Sequence, residues 1–251
     1  MANAADITLI RQMLAIAQQE HEANPEAPKE RCGVVIKTPE GEVKLVECAN
    51  VSVNPEYRFR ISPVEWAQLY MNNEILEVWH THNNQSAAPS QADLVEMEKT
   101  NLPWHIVSWP EGGHSYTVPT GYVAPYEGRM FYHGVLDCYA LCRDWYSREM
   151  GIELMEIERE NYWWKKDQNL YLDHFVENGF VEVAPEVDMK NLKRGDGLLM
   201  QVGSRVPNHG AIYIGDGKIL HHVQDRLSEI TNYGGDWLKR TTHHLRHKSQ
   251  L

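Results

Sequence analysis

Residues 75–100, ILEVWHTHNNQSAAPSQADLVEMEKT, decide the reading of the first half of this chain. The opening apolar run ILEVWHTH (75–82) reads as a strand, and QADLVEMEKT behind Ser90 reads as a helix with Ser90 at its cap. Side chains alternate across a strand, so His80 and His82 leave the same face and can converge on one ion. Asp93, in the first turn of the helix, can fold back over the strand end as a third ligand. Two imidazoles and a carboxylate suit zinc, with the fourth position left for a water whose pKa falls from 15.7 to roughly 7. Such a site needs a base. Glu30, in KERCGVV immediately before another strand, is the carboxylate best placed to accept the water's proton. Two plainer readings compete: an HxH pair can be a packing feature, and SxxD from Ser90 to Asp93 is a capping box without any metal.

Outward from this stretch the first half alternates helix and strand. Ile7, Ile10, Leu14 and Ala17 recur at helical spacing behind Asp6, read as the N-cap. The segments GVVIKT (33–38) and EVKLVECANV (42–51) flank a PEG turn, and a helix opens after Pro63 over 64–73. WHIVSW (104–109) and HSYTVP (114–119) read as further strands. PTGYVAPYEG (119–128), with two prolines and two glycines, marks a domain edge. The organisation expected is an α/β domain over 1–118, a linker over 119–126 and a second, α+β domain over 127–251.

In the second half, FYHGVLDCYALCRDWYSREMG puts Cys138, Cys142 and Trp145 on one helix face and stops at Gly151. A second helix is expected near 167–178. KRGDGLLMQV and HGAIYIGDGKILHH then read as strands, the latter a hairpin about Gly-Asp-Gly. Cys138 opens its helix, where the positive helix end favours thiolate, and is a candidate nucleophile. His209, at the start of a strand, is the candidate base. A two-residue turn at Asp216 and Gly217 puts His222 on the face of His209, whereas one more residue in the loop, or a bulge, selects His221. A buried packing cysteine is the plainer reading of Cys138, and Cys142 reads as core.

Composition sets the outer limits. The 251 residues are 42% hydrophobic and 24% charged with a net charge of −11, which is ordinary globular composition. No apolar run approaches the ~20 residues of a membrane span. An acidic chain is repelled by phosphate backbones, so nucleic acid is not expected as a partner. The basic end, LKRTTHHLRHKSQL, reads as a solvated terminus. MANAADITLIRQMLAIAQQE reads as an amphipathic helix and not as an export signal. The four cysteines, Cys32, Cys48, Cys138 and Cys142, are expected to be free thiols. The halves share no repeat.

Two family resemblances add to this. The upstream ERCG (30–33), HTH (80–82) and PSQAD (89–93) resemble the JAMM (MPN-type) metallopeptidase signature over about residues 7–118. The resemblance implies zinc held by His80, His82 and Asp93, Glu30 as general base, and Ser90 polarising the scissile carbonyl. Asn83 departs from the proline that many members carry after the second histidine. GRMFYHGVLDCYALCRDWY, the RGD at 194–196 and HGAIYIGDGKILHH resemble the papain-like NlpC/P60 cysteine peptidases over 127–251. That resemblance implies Cys138 as nucleophile, His209 as base and His221, twelve residues on, as the group that orients it. The chain reads DCYA and RGDG where many members read DCSG and RGDL, which implies a different substrate groove.

The two domains in this order are similar to the tail tip assembly proteins of lambda-like siphophages. That similarity implies other tail tip proteins as partners, with a peptidoglycan stem peptide or a tail protein as substrate. It implies a place in the host cytoplasm during assembly and then in the virion tail tip. The other functions weighed are a structural assembly factor without turnover and a bacterial cytoplasmic peptidase that trims ubiquitin-like carriers.

Overall fold

The computed structural model describes residues 4–166, 168–184 and 187–251. The chain divides into two compact units, Met1–Val123 and Ala124–Leu251. In the first unit, helix α1 (Ala4–Ala23) precedes β1 (Cys32–Lys37), β2 (Val43–Cys48), α2 (Pro63–Asn72), β3 (Glu74–Asn83), α3 (Gln91–Thr100), β4 (Trp104–Trp109) and β5 (His114–Thr117). The helix starts two residues before Asp6, so Asp6 lies inside it and is not its cap; its side chain is outside the described residues.

The five strands form one sheet in the order β2-β1-β3-β4-β5, antiparallel except for β3 beside β4. α3 makes the crossover that this parallel pair requires. Met13 and Ala17 of α1 pack with Val35, Trp79 and Val107 on one face, while Ile7 stays exposed. The other face joins Val34, Val78, Met97 and Trp104 to Trp66 and Leu69 of α2. A bulge between Val35 and Ile36 in the β1–β3 register explains why Ile75 and Val78 share a face despite opposite parity. His80 and His82 follow Val78 onto that face. Gly33 is required here: a Cβ would stand 2.0 Å from the Val46 carbonyl oxygen and 2.7 Å from the Trp79 indole nitrogen, which donates to that same carbonyl.

The second unit holds α4 (Cys138–Met150), α5 (Leu170–His174), β6 (Phe180–Ala184), β7 (Asp196–Met200), β8 (His209–Gly215), β9 (Lys218–His221), β10 (Glu229–Asn232), α6 (Gly235–Arg240) and β11 (Thr241–His247). Its antiparallel sheet runs β10-β9-β8-β7-β11-β6. α4 lies over it through Leu141, Trp145 and Tyr146, packed with Ile212, Leu220 and Leu245. Asp137 caps the helix by accepting from the Ala140 amide, and Gly151 ends it in the left-handed conformation with φ 63°.

Two expectations need correction. The helix expected near 167–178 is only the five residues Leu170–His174, because the Asn178 side chain turns back onto the His174 carbonyl and Gly179 takes φ +83°. Asp167, at the start of that range, lies outside the described residues. The basic end is not a solvated terminus either. It forms β11, an inner strand between β7 and β6, with His244, Leu245 and Arg246 buried. Buried Asp196 balances this: His244 Nε2 lies 2.6 Å from its Oδ2, and Arg246 donates through Nε to Oδ1 and through Nη2 to Oδ2 at 2.7 Å each. Burial alone would raise the Asp196 pKa, but the hydrogen bonds from His244 and Arg246 hold it below the usual carboxylate range.

Candidate functional sites

In the first unit, antiparallel pairing of Cys32 with His80 carries the chain before β1 alongside the end of β3. Thr81 holds it there, its hydroxyl accepting from the Arg31 amide and its own amide donating to the Arg31 carbonyl. Asn50 donates to the Glu30 carbonyl at 2.7 Å, and the Glu30 amide donates to the Pro55 carbonyl. Glu30 is therefore fixed and buried. Burial and the nearby Asp93 charge push its pKa well above the ordinary value, and Arg58 offsets part of this.

His80, His82 and Asp93 offer ligand atoms that all lie within 4.8 Å of one another. The two Nε2 atoms are 3.1 Å apart, and each is 3.4 Å from an Asp93 oxygen. His82 donates from Nδ1 to the Ser86 carbonyl at 2.8 Å, which leaves its Nε2 lone pair free to bind a cation. Burial would raise the Asp93 pKa, but the two histidines hold it far below the usual range. Burial, with the neighbouring His82, lowers His80 against the pull of Asp93, whereas His82 is raised because Asp93 and the Ser86 carbonyl outweigh burial. This donor set fits a divalent metal with nitrogen and oxygen ligands. The capping box coexists with it: Ser90 Oγ accepts from the Asp93 amide and Asp93 Oδ2 accepts from the Ser90 amide. Sequence reading missed Phe59, whose ring stacks on His80 at 4.5 Å; it lies in a loop with no periodic pattern.

In the second unit, Cys138 opens α4 against the start of β8. Its sulfur is 3.4 Å from the Tyr171 hydroxyl. Cys138 and His209 line one cavity of about 90 Å³, walled by Phe131, Trp163, Trp164 and His222. His209 Nε2 is 3.1 Å from His221 Nδ1, and the Trp237 ring packs against both imidazoles, at 6.0 and 4.6 Å. The parity question is thereby answered structurally. The β8–β9 register shifts between Tyr213 and Gly215, so Ala211 pairs with His221 and places that residue on the face of His209. His222 instead meets the Phe131 ring and donates from Nε2 to the Arg226 carbonyl.

Electrostatics qualify the expectation of a thiolate at rest. Burial and the Asp137 charge push the Cys138 thiol up, against the Tyr171 hydroxyl and the Gly210 amide, which lower it. Burial, helped by His221 and His222, brings His209 down to about 3, so its ring is neutral at rest. Arg159 was not foreseen. It grips Asp137 through Nε at 2.8 Å and Nη2 at 3.1 Å, offsetting the carboxylate charge beside the thiol. All four cysteines are free, and among the described residues no helix is long and apolar enough to cross a membrane.

Comparison with known proteins defines the class first. A model of prokaryotic homologs of the JAB domain matches residues 8–119, and a model of the NlpC/P60 family matches residues 125–246. The protein thus joins a JAB/MPN-like α/β domain to an NlpC/P60-like domain. A JAB1/MPN domain protein of Archaeoglobus fulgidus is 18% identical, covering 47% of this chain and 90% of its own, with a TM-score of 0.30. Tail tip assembly protein K of Escherichia phage N15 is 34% identical over 241 residues, which cover 95% of this chain and 96% of that one. Tail tip assembly protein K of Escherichia phage lambda is 38% identical over 190 residues, covering 75% and 90%. The chain belongs to the tail tip assembly protein K family.

Proposed function

We propose that this chain is a tail tip assembly protein with two peptidase sites. In this reading residues 1–118 form a zinc-dependent amide hydrolase, 119–126 a linker, and 127–251 a thiol endopeptidase that cuts the stem peptides of peptidoglycan. The observation that carries the reading is that each unit brings its own set of reactive side chains together: His80, His82 and Asp93 in the first, Cys138 and His209 in the second. Membership of the tail tip family supports other tail tip proteins as partners, assembly in the host cytoplasm and a final place at the virion tail tip.

In the first site His80, His82 and Asp93 would hold zinc. When bound, the metal supplies Lewis acidity, acidifying water and polarising a carbonyl. Glu30 takes the proton from water, a task suited to its raised pKa. Ser90, its oxygen engaged by the helix cap, donates its hydroxyl proton toward the developing oxyanion. In the second site the Cys138 proton passes to His209 Nδ1, since Nε2 already faces His221. The sulfur attacks the scissile carbonyl carbon, and His209 returns the proton to the leaving amine as the C–N bond breaks. Water then hydrolyses the thioester, with His209 again as base.

Glu30→Gln tests the first site. Glutamine keeps the shape and the backbone hydrogen bonds but cannot accept a proton. The variant is expected to hold as much zinc as the parent and to lose metal-dependent cleavage by roughly 100-fold or more. Elemental analysis beside a cleavage assay reads both properties; an undiminished rate removes Glu30 from the mechanism.

A further inference from the structure

We infer that Glu229 is a fourth member of the thiol site, a positioning residue that sets the protonation pattern of the two histidines. The inference rests on the thiol-peptidase reading above. β10 lies beside β9 with Glu229 directly opposite His221, and Glu229 Oε1 stands 3.6 Å from His221 Nε2. That nitrogen is buried and otherwise lacks a hydrogen-bond partner among the described residues, whereas the Glu229 side chain is 54% exposed, with room to rotate the last few tenths of an ångström.

The proton count along the row makes the carboxylate matter. His209 has one nitrogen, Nε2, against His221 Nδ1, so only Nδ1 can receive the Cys138 proton. For Nδ1 to be a lone pair beforehand, the His209 proton must sit on Nε2 and point at His221. His221 Nδ1 must then accept, which puts the His221 proton on Nε2, the atom facing Glu229. A carboxylate accepts from that N–H and favours this tautomer over the reverse one, in which His221 donates to His209 and blocks it as a base. After proton transfer from Cys138, the imidazolium formed at His209 is stabilised through neutral His221 by the Glu229 charge. No proton leaves His209 along the row. Among the described residues the other groups facing His221 supply no such charge: His222 is an imidazole that lowers its pKa, His209 is an imidazole whose Nε2 lies 3.1 Å away, and Trp237 presents an aromatic ring.

The test uses the full chain and needs no substrate. Long-range ¹H–¹⁵N spectra of the histidine rings, with His221→Gln as the assignment control, report which nitrogen carries each proton. The parent is expected to show His221 and His209 both protonated on Nε2; Glu229→Ala is expected to show a mixture at both rings. Iodoacetamide labelling of Cys138 at pH 7 is expected to slow roughly tenfold in Glu229→Ala, the scale of one charge-assisted hydrogen bond, and less in Glu229→Asp, which keeps the charge. Glu229→Gln covers the case in which alanine disturbs folding, and it should label more slowly than Glu229→Asp. An unchanged tautomer pattern in Glu229→Ala overturns the proposal. If His209→Ala slows labelling and no Glu229 variant does, Glu229 alone is excluded. If His209→Ala has no effect either, the thiol-peptidase reading falls as well.

Discussion

His82→Ala is expected to purify without zinc where the parent holds about one equivalent per chain. The substitution removes one of three ligand atoms that converge within 4.8 Å and breaks the contact with the Ser86 carbonyl that aims the ring. Metal bound at a hundredfold excess over its Kd adds about 2.7 kcal/mol to the folded state. A chelator should therefore lower the melting temperature of the parent and leave His82→Ala unmoved. Asp93→Asn should behave like His82→Ala toward zinc while keeping most of the helix cap, because the amide oxygen still accepts from Ser90. Equal zinc in parent and His82→Ala would contradict the ligand assignment.

The second large effect is on stability. Asp196→Ala leaves Arg246 charged and buried beside His244 with no counter-charge, and breaking a buried pair in this way costs about 3–5 kcal/mol. Denaturant unfolding followed by tryptophan fluorescence measures it. The loss should be much smaller when Asp196→Leu is combined with Arg246→Met and His244→Leu, since an apolar trio of similar volume needs no compensation. A cost below about 1 kcal/mol for Asp196→Ala would mean that the charge cluster does not anchor β11.

These two sites differ in how far sequence could reveal them. The cluster of His80, His82 and Asp93 was legible because its parts are local: two histidines on one strand and a capped helix ten residues on share strict geometric rules. Glu30 was singled out by its place before a strand, but the contacts of Asn50 and Pro55 with its backbone, and of Thr81 with Arg31 beside it, follow from no spacing rule. The choice of His221 over His222 depended on a bulge at the end of β8, a single-residue feature with no local signature. The resemblance to NlpC/P60 peptidases implied His221, and the register puts His221 on the face of His209.

Strand β11 was illegible for a different reason. THHLRH looks like a basic tail until Asp196, forty-eight residues before His244, is brought beside it. Arg159 was hidden likewise, since its partner Asp137 is twenty-two residues away. Charged residues inside a sheet read as surface in any local pattern, because what makes their burial tolerable is a distant counter-charge.

The most direct measurement is digestion of purified peptidoglycan by the full chain, the Cys138→Ala variant and the His82→Ala variant, with new amine termini located by mass spectrometry. The parent is expected to release stem-peptide fragments. Cys138→Ala should release none, while His82→Ala, altered only in the other unit, should still do so. Sacculi left uncut by the parent, or cut equally well by Cys138→Ala, would contradict a thiol endopeptidase in the second domain.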